Sequence, residues 1–130
     1  MVNEFGGFLK KQRLERTSIS LNKFAKELGI SAAYLSKLET GKEKPTFQLI
    51  QKIAKLLEMD ENLLAGRAGV IDPKIIKAIT SNDRLSTSIP KLLDTIVKSD
   101  DQNRLLDRIE AATSTAYSFD DEDKGFPNEL

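Results

Sequence analysis

Apolar residues recur along the first half of this chain at intervals of three and four, the spacing of one face of an α-helix. Residues 4–16 form the first such stretch, and each later stretch follows a residue whose side chain commonly caps a helix N-terminus. These N-cap candidates are Ser20, Ser31, Thr46 and Asp60. No stretch alternates apolar and polar residues at the period of a strand. The pattern therefore predicts five short helices between residues 4 and 66.

The second half of the chain resumes the helical spacing after a short link. Asp72-Pro73, Ser88-Ile89-Pro90 and Ser99-Asp100 are predicted helix starts, because a capping side chain stands ahead of the first turn. The last residues are rich in carboxylates, which predicts disorder. The sequence thus predicts an all-α chain in four parts: a five-helix domain at 1–66, a link at 67–71, a helical region of about three helices at 72–118, and an acidic tail at 119–130.

The most specific pattern in the chain runs from Leu21 to Glu39, across two predicted helices and the turn between them. Two short helices that cross closely need a small residue at the contact, a glycine at the turn, and apolar residues beneath the turn and along the second helix. These needs are met, in order, by Ala25, Gly29, Ile30, Leu35 and Leu38. The pattern indicates a helix-turn-helix. The residues left to point outward from its second helix are Ala32, Ala33, Tyr34, Ser36 and Lys37.

Small side chains dominate this outward face, and they suit close approach to another surface. The major groove of DNA is a slot about 12 Å wide that admits a helix. Alanine can contact thymine methyl groups, serine can hydrogen-bond to bases or phosphates, and lysine can reach guanine or a phosphate. The N-terminus of the helix, at Ser31, favours phosphate through its free N–H groups and its dipole. The face is therefore a candidate for contact with double-stranded DNA.

Charge is distributed unevenly between the two halves of the 130-residue chain. Residues 1–66 carry 11 basic and 8 acidic residues, and residues 67–130 carry 9 basic and 12 acidic residues, so the net charges are +3 and −3. The basic half suits DNA, and the acidity of the second half argues against DNA contact there. A chance imbalance of this small size is the alternative.

The sequence contains neither cysteine nor histidine. Thiol nucleophiles, imidazole bases and Cys/His metal sites are thereby excluded, so we expect no enzyme, no metal and no cofactor. The acidic run at 120–123 lacks the spacing and the glycine turn of an EF-hand. No apolar run approaches the roughly 20 residues that span a bilayer, and the N-terminus lacks the order of a signal peptide. We therefore expect a soluble, cytoplasmic protein without a membrane partner.

The segment LNKFAKELGISAAYLSKLETGKEKPTFQLIQKIAKLL, which begins at Leu21, resembles the Xre-type family of helix-turn-helix regulators. That family includes the phage repressor and Cro proteins, and the resemblance extends from about Phe5 to Ala65. It implies a repressor-like five-helix domain whose third helix, Ser31–Glu39, is the recognition helix. The base-contacting candidates that it implies are Ala32, Ala33, Ser36 and Lys37. The candidates for positioning the DNA backbone are Tyr34, Lys42 and Lys44.

One position departs from the family pattern. Leu21 stands where many members carry a glutamine that contacts phosphate. Asn22 and Lys23, which follow it, are therefore the candidates for that phosphate contact.

Other residues near the motif have plainer interpretations. The basic residues of the first helix are expected on a solvated face, or close to phosphates beside the recognition helix; they are Lys10, Lys11, Arg13 and Arg16. Glu39 is expected to be structural, either capping its helix or pairing with a nearby basic group. Tyr34 is either half-buried core or part of the DNA face.

The apolar residues of the second half suit self-association, because phage-repressor relatives usually bind DNA as dimers at two half-sites. Leu105, Ile109, Ala112 and Ala116 are spaced 4, 3 and 4 residues apart, as in a coiled-coil seam. The dimerisation candidates are Leu92, Leu93, Ile96, Leu105, Ile109 and Ala112. The alternative is that these helices cover the first domain or one another.

Together these features predict a dimeric, sequence-specific transcriptional repressor whose partner is double-stranded DNA with two half-sites. An antirepressor protein or an inducer could act on its C-terminal region. A second hypothesis is an antitoxin or adaptor protein of the same fold, whose C-terminal helices bind a protein partner.

Overall fold

The computed structural model describes residues 4–123, with the side chains of residues 4–114. All regular structure within these residues is helical, which confirms the all-α prediction. The helices are α1 (Glu4–Gln12), α2 (Leu21–Leu28), α3 (Ala32–Glu39), α4 (Phe47–Leu57), α5 (Glu61–Ala68), α6 (Pro73–Thr80), α7 (Asp83–Lys98) and α8 (Gln102–Asp123). The chain divides into two compact units, Met1–Ala78 and Ile79–Leu130.

The helices α2 to α5 begin where the sequence places their capping side chains. Ser20 Oγ accepts a hydrogen bond from the backbone N–H of Lys23 at 3.1 Å. Ser31, Thr46 and Asp60 accept equivalent bonds at the starts of α3, α4 and α5. Each bond satisfies a backbone donor that the first turn leaves unpaired, and contributes about 1 kcal/mol.

The core of the first unit is formed by one face of each of the helices α1 to α5. Its buried apolar residues are Phe5, Leu9, Phe24, Ala25, Leu28, Leu35, Leu38, Phe47, Leu49, Ile50, Ile53, Ala54, Leu57, Leu64, Ala65 and Ala68. Burying one large apolar side chain contributes roughly 1.5–3 kcal/mol. Helices as short as α2, α3 and α5 are unstable alone, so this shared core is what keeps them folded.

The helical path continues beyond α1 into a π-helical turn at Arg13–Thr17. The N–H of Ser18 donates to the carbonyl of Arg13, five residues back, at 3.1 Å. Ser18 then has a φ of 58°, a left-handed conformation that ends the helix. The sequence pattern correctly breaks at Thr17-Ser18, but it gives no sign of the wider turn.

The start of α7 differs from the sequence prediction. Helix α7 begins at Asp83, where the side chain of Asn82 accepts the N–H of Leu85 at 3.0 Å. The predicted start at Ser88 is therefore wrong, and Pro90 lies inside the helix. The cap–proline pattern was misleading because an earlier capping residue had already started the helix.

Two other boundaries extend beyond the predicted ones. Helix α5 reaches Ala68, and Gly69 ends it with a φ of 70°. Helix α8 begins after Asp101, whose carboxylate accepts the N–H of Arg104 at 3.1 Å. It runs to Asp123, five residues into the segment for which the acidic composition predicted disorder. The rest of that segment, 124–130, lies outside the described residues.

Candidate nucleic-acid interface

The turn between α2 and α3 is built as the sequence predicted. Gly29 has a φ of 76°, and the N–H of Ile30 donates to the carbonyl of Ala25 at 3.0 Å. Ala25 is only 1% exposed, so the small residue lies in the core beneath the turn. The positive φ requires glycine, because an L side chain is strained in this conformation.

Helix α3 has one face in the core and another in solvent. Leu35 and Leu38 are fully buried. Ala33, Ser36 and Lys37 are exposed, and their spacing of three and four places them on one side of the helix.

The first turn of α3 is less exposed than the sequence predicted. Ala32 and Tyr34 are half-buried, because both pack against the core. Ser31 is exposed, and its Oγ accepts the N–H of Tyr34 at 3.0 Å. The outward face available for contact is therefore narrower than the five residues inferred from the sequence, and it is centred on Ala33, Ser36 and Lys37.

The loop after α3 is fastened to the end of that helix. The carbonyl of Lys37 accepts the N–H groups of Lys42 at 2.8 Å and of Glu43 at 3.2 Å. Gly41 permits this return with a φ of 81°, and Pro45 is buried at the far end of the loop. Lys42 is exposed and thus held beside the last turn of α3.

Lys44 lies in the same loop but in different surroundings. Its Nζ is 3.4 Å from the point that a Cβ at Gly69 would occupy, so the side chain lies over the C-terminal end of α5. A cation at this position interacts favourably with the negative end of the helix dipole. The family resemblance implied the same phosphate-positioning role for Lys42 and Lys44, whereas the structure places the side chain of Lys44 against Gly69 at the end of α5.

The N-terminal end of α2 carries the other phosphate candidates, Asn22 and Lys23, and both are exposed. No carboxylate of the described residues forms an ion pair with Lys23, Lys37 or Lys42. Each of these ammonium groups can therefore meet an anion without first breaking an ion pair with a described residue.

Arg13 and Glu39 form a buried ion pair. The sequence predicted that Glu39 caps its helix or pairs with a basic group, but it did not identify Arg13 as the partner. Arg13 Nε lies 2.8 Å from Glu39 Oε2, and Arg13 Nη2 lies 3.0 Å from Glu39 Oε1. A third guanidinium nitrogen, Nη1, donates to the carbonyl of Ile19 at 2.8 Å. The hydrogen bond to Glu39 raises the pKa of Arg13, and the negative charge of the carboxylate adds to this effect while burial opposes it. The pair fastens the last residue of α3 to the end of α1.

The prediction of a solvated Arg13 is wrong, since the residue is only 5% exposed. The apolar spacing contained a usable signal, because Phe5, Leu9 and Arg13 follow one another at intervals of four. The structural role expected for Glu39 agrees with the pair. Lys10 and Lys11 are exposed as expected, and the exposed Arg16 donates to the carbonyl of Leu57 at 3.2 Å.

The dimerisation candidates of the second half fall into two sets. Ile96, Leu105 and Ile109 are half-buried, whereas Leu92 and Leu93 are 50% and 55% exposed. Ala112 is exposed, and the side chain of Ala116 lies outside the described part of the chain. No residue of α7 is fully buried, so this helix keeps an apolar surface open to solvent.

The crossing of α2 and α3 on a five-helix core, with a solvent-facing second helix, defines a helix-turn-helix domain. The sequence matches the helix-turn-helix family model over residues 9–64. The chain belongs to this family, in its Xre-like form, which is a family of DNA-binding transcriptional regulators. Among the described residues no helix is long and apolar enough to cross a membrane.

Two kinds of relative support this assignment. An uncharacterized HTH-type transcriptional regulator of Mycobacterium tuberculosis, strain H37Rv, is 37% identical over 68 residues, which are 52% of this chain and 48% of that protein. Its counterpart in strain CDC 1551 gives the same values. The ImmF control region 10 kDa protein of Bacillus phage phi105 is 34% identical over 61 residues, 47% of this chain and 67% of that protein. The chain spans about half the length of the mycobacterial relatives.

Proposed function

We propose that this protein is a sequence-specific repressor of transcription that binds double-stranded DNA as a dimer and reads the major groove with α3. The cytoplasm is its proposed location. The observation that carries the proposal is the solvent-facing side of α3, where Ala33, Ser36 and Lys37 lie on one narrow face. The names of the relatives, HTH-type transcriptional regulator and phage control region protein, support a regulatory role.

The chemistry of this face suits base reading. The methyl group of Ala33 can contact a thymine methyl group, and the hydroxyl of Ser36 can hydrogen-bond to a base edge or phosphate. Lys37 can donate to O6 and N7 of guanine, the commonest specific contact made by a basic side chain. The side chains on this face are short apart from Lys37, so the helix backbone can approach the groove closely.

The phosphate contacts are proposed on either side of α3. Lys42 approaches from the loop that is bonded to the carbonyl of Lys37, and Asn22 and Lys23 from the start of α2. These contacts position the protein without reading sequence. Ser31 and Tyr34 take part at the first turn of α3, through the helix end and the half-exposed ring.

The dimer is proposed to form through the second half of the chain. Leu92, Leu93 and Val97 are 50%, 55% and 67% exposed on the single helix α7. Contiguous exposed apolar residues of this kind commonly mark protein–protein contacts. The names of the relatives give no support to the second hypothesis, an antitoxin or adaptor protein.

Selection of genomic DNA fragments by the full-length protein, followed by footprinting, tests the proposal. The expected site has two parts, separated by about 34 Å or a multiple of it. Affinity should fall steeply as salt rises, because each phosphate contact releases counterions. Fragments recovered at random, with an affinity that salt does not change, would contradict DNA reading.

Lys37→Ala refines this test at one base pair. The substitution is expected to cost about 1–3 kcal/mol of binding free energy and to relax the preference at one position of each half-site. Lys55→Ala removes an exposed lysine from α4 and serves as the control, with no change in base preference. An equal loss on every sequence would instead assign Lys37 to a phosphate.

A further inference from the structure

Gly6 is one of two adjacent glycines in α1, and its surroundings differ sharply from those of its neighbour. A Cβ at Gly6 would lie 2.6 Å from the carbonyl oxygens of both Leu38 and Glu39, and 2.8 Å from the carbonyl carbon of Glu39. Real Cβ atoms essentially never come this close to another heavy atom. The neighbours are backbone atoms, so they cannot swing aside as a flexible side chain would. The first turn of α1 is thus in direct backbone contact with the last turn of α3.

Glu39 takes part both in this backbone contact and in the ion pair with Arg13. The carbonyl of Glu39 packs against Gly6, while its carboxylate is bonded to Arg13 two turns further along. The two helices therefore approach closely at this point, with backbone against backbone. Glycine allows that approach, because any other residue would place a Cβ between the two helix ends.

We propose that Gly6 is a positioning residue that sets the location of the C-terminal half of α3 and so tunes DNA binding. The proposal rests on the DNA-reading role of α3. Lys37 directly precedes Leu38, and its carbonyl holds the loop that carries Lys42. An added Cβ at Gly6 pushes on the last turn of α3, and that displacement moves Lys37 and Lys42 together.

Gly7 supplies a matched control within the same helix. No heavy atom lies within 4 Å of the position of a Cβ at Gly7, which is exposed. Replacing either glycine with alanine reduces the conformational freedom of the unfolded chain and raises helix propensity to a similar extent. Any difference between Gly6→Ala and Gly7→Ala in amide shifts or DNA affinity therefore arises from the contact with α3.

The first measurement uses amide NMR spectra of the full-length variants without DNA. Gly6→Ala is expected to shift the amide signals of α3 and of residues 40–43, and Gly7→Ala is expected to leave them in place. Unchanged α3 signals in folded Gly6→Ala would overturn the proposal. This measurement needs no DNA, so its outcome is independent of whether the proposed function is correct.

The second measurement compares DNA affinity at a temperature at which every variant is folded. Gly6→Ala should weaken binding by roughly tenfold or more, whereas Gly7→Ala should leave it within about twofold. Lys37→Ala should also lose less DNA-binding free energy in the Gly6→Ala background than in the wild type. The reason is that Gly6→Ala already displaces Lys37, so the effects of the two substitutions do not add. Normal affinity despite displaced α3 signals would overturn the positioning role.

If Gly6→Ala does not fold, the comparison is made in a more stable form of the protein. Gly66 lies in α5 with no heavy atom within 4 Å of its Cβ position, so Gly66→Ala is expected to add stability without a clash. Wild type, Gly6→Ala and Gly7→Ala are then compared in chains that all carry Gly66→Ala. If the wild type binds no DNA, the proposed function is contradicted. The amide shifts still show, independently of DNA binding, whether Gly6 sets the position of α3.

Discussion

Glu39→Ala is expected to lower the free energy of unfolding by about 3–5 kcal/mol, the cost of leaving a buried ion without its partner. The side chains of Arg13 and Glu39 are only 6% and 3% exposed, so the guanidinium that remains is shielded from bulk water. Two of the three hydrogen bonds from the guanidinium are lost, and the one to the carbonyl of Ile19 remains. A loss of this size is a large part of the 5–15 kcal/mol that typically stabilises a domain.

Urea unfolding followed by circular dichroism measures this effect, and the chain contains its own control. Asp94 and Lys98 form an ion pair of the same type at 3.0 Å, but their side chains are 61% and 73% exposed. Asp94→Ala should therefore change stability by no more than about 0.5 kcal/mol. Equal effects of Glu39→Ala and Asp94→Ala would refute the reasoning, because burial is the feature that distinguishes the two pairs.

A second variant separates the ion pair from its packing. Arg13→Met combined with Glu39→Leu replaces both charges with apolar groups, and its stability should lie near that of the wild type or above it. The Glu39 hydrogen bond raises the pKa of Arg13 above its ordinary value. The resulting stabilisation is fully present below that ordinary value and is lost only as the pH rises through the raised pKa. The contribution of Arg13 titration should therefore be constant across the neutral pH range.

Three further pairs of substitutions address other parts of the chain. Glu58→Gly should stabilise the fold by roughly 0.5–1 kcal/mol in thermal unfolding. Glu58 ends α4 with a φ of 56°, which is costly for a residue with a Cβ. Glu58→Ala keeps the Cβ and should give no such gain. Lys42→Met should reduce the slope of log DNA affinity against log salt concentration by about 0.9. Lys44→Met should leave that slope unchanged and lower the stability of the fold by up to about 1 kcal/mol. Identical effects of the two substitutions on the slope would contradict the different roles given to the two lysines. Leu93→Glu should shift the protein from dimer to monomer in sedimentation equilibrium while Lys91→Glu does not, and a wild type that sediments as a monomer would contradict the proposed dimer.

The parts of the fold that the sequence could predict depend on neighbours within about four residues. The caps at Ser20 and Ser31 bond to N–H groups three positions along, and the turn at Gly29 bonds back by five or fewer residues. The start of α7 was missed although its signal is also local, because Asn82 and Ser88 are both good N-cap residues. Sequence alone does not rank two capping residues six positions apart.

The features that escaped prediction depend on chain segments far apart in sequence. Arg13 and Glu39 are 26 positions apart, and only the packing of α1 on α3 brings them together. Gly6 and Gly7 are equivalent in local terms, since both weaken a helix, yet only one of them contacts another helix. The family resemblance likewise implied one role for both Lys42 and Lys44, because the position of α5 relative to the loop cannot be read from the sequence.

The arrangement of α3 separates the residues that hold the helix in place from those on its exposed face. An eight-residue helix has little stability of its own, so its position depends on contacts with the rest of the domain. Those contacts are made by Leu35, Leu38 and Glu39, all of which are buried. Because they lie away from the exposed face, substitutions at Ala33 or Ser36 leave the supporting contacts intact. We therefore expect substitutions on the exposed face to alter the DNA preference at little cost in stability. Substitutions of the buried residues Leu35, Leu38 and Glu39 should instead reduce DNA affinity, mainly by displacing or unfolding the helix.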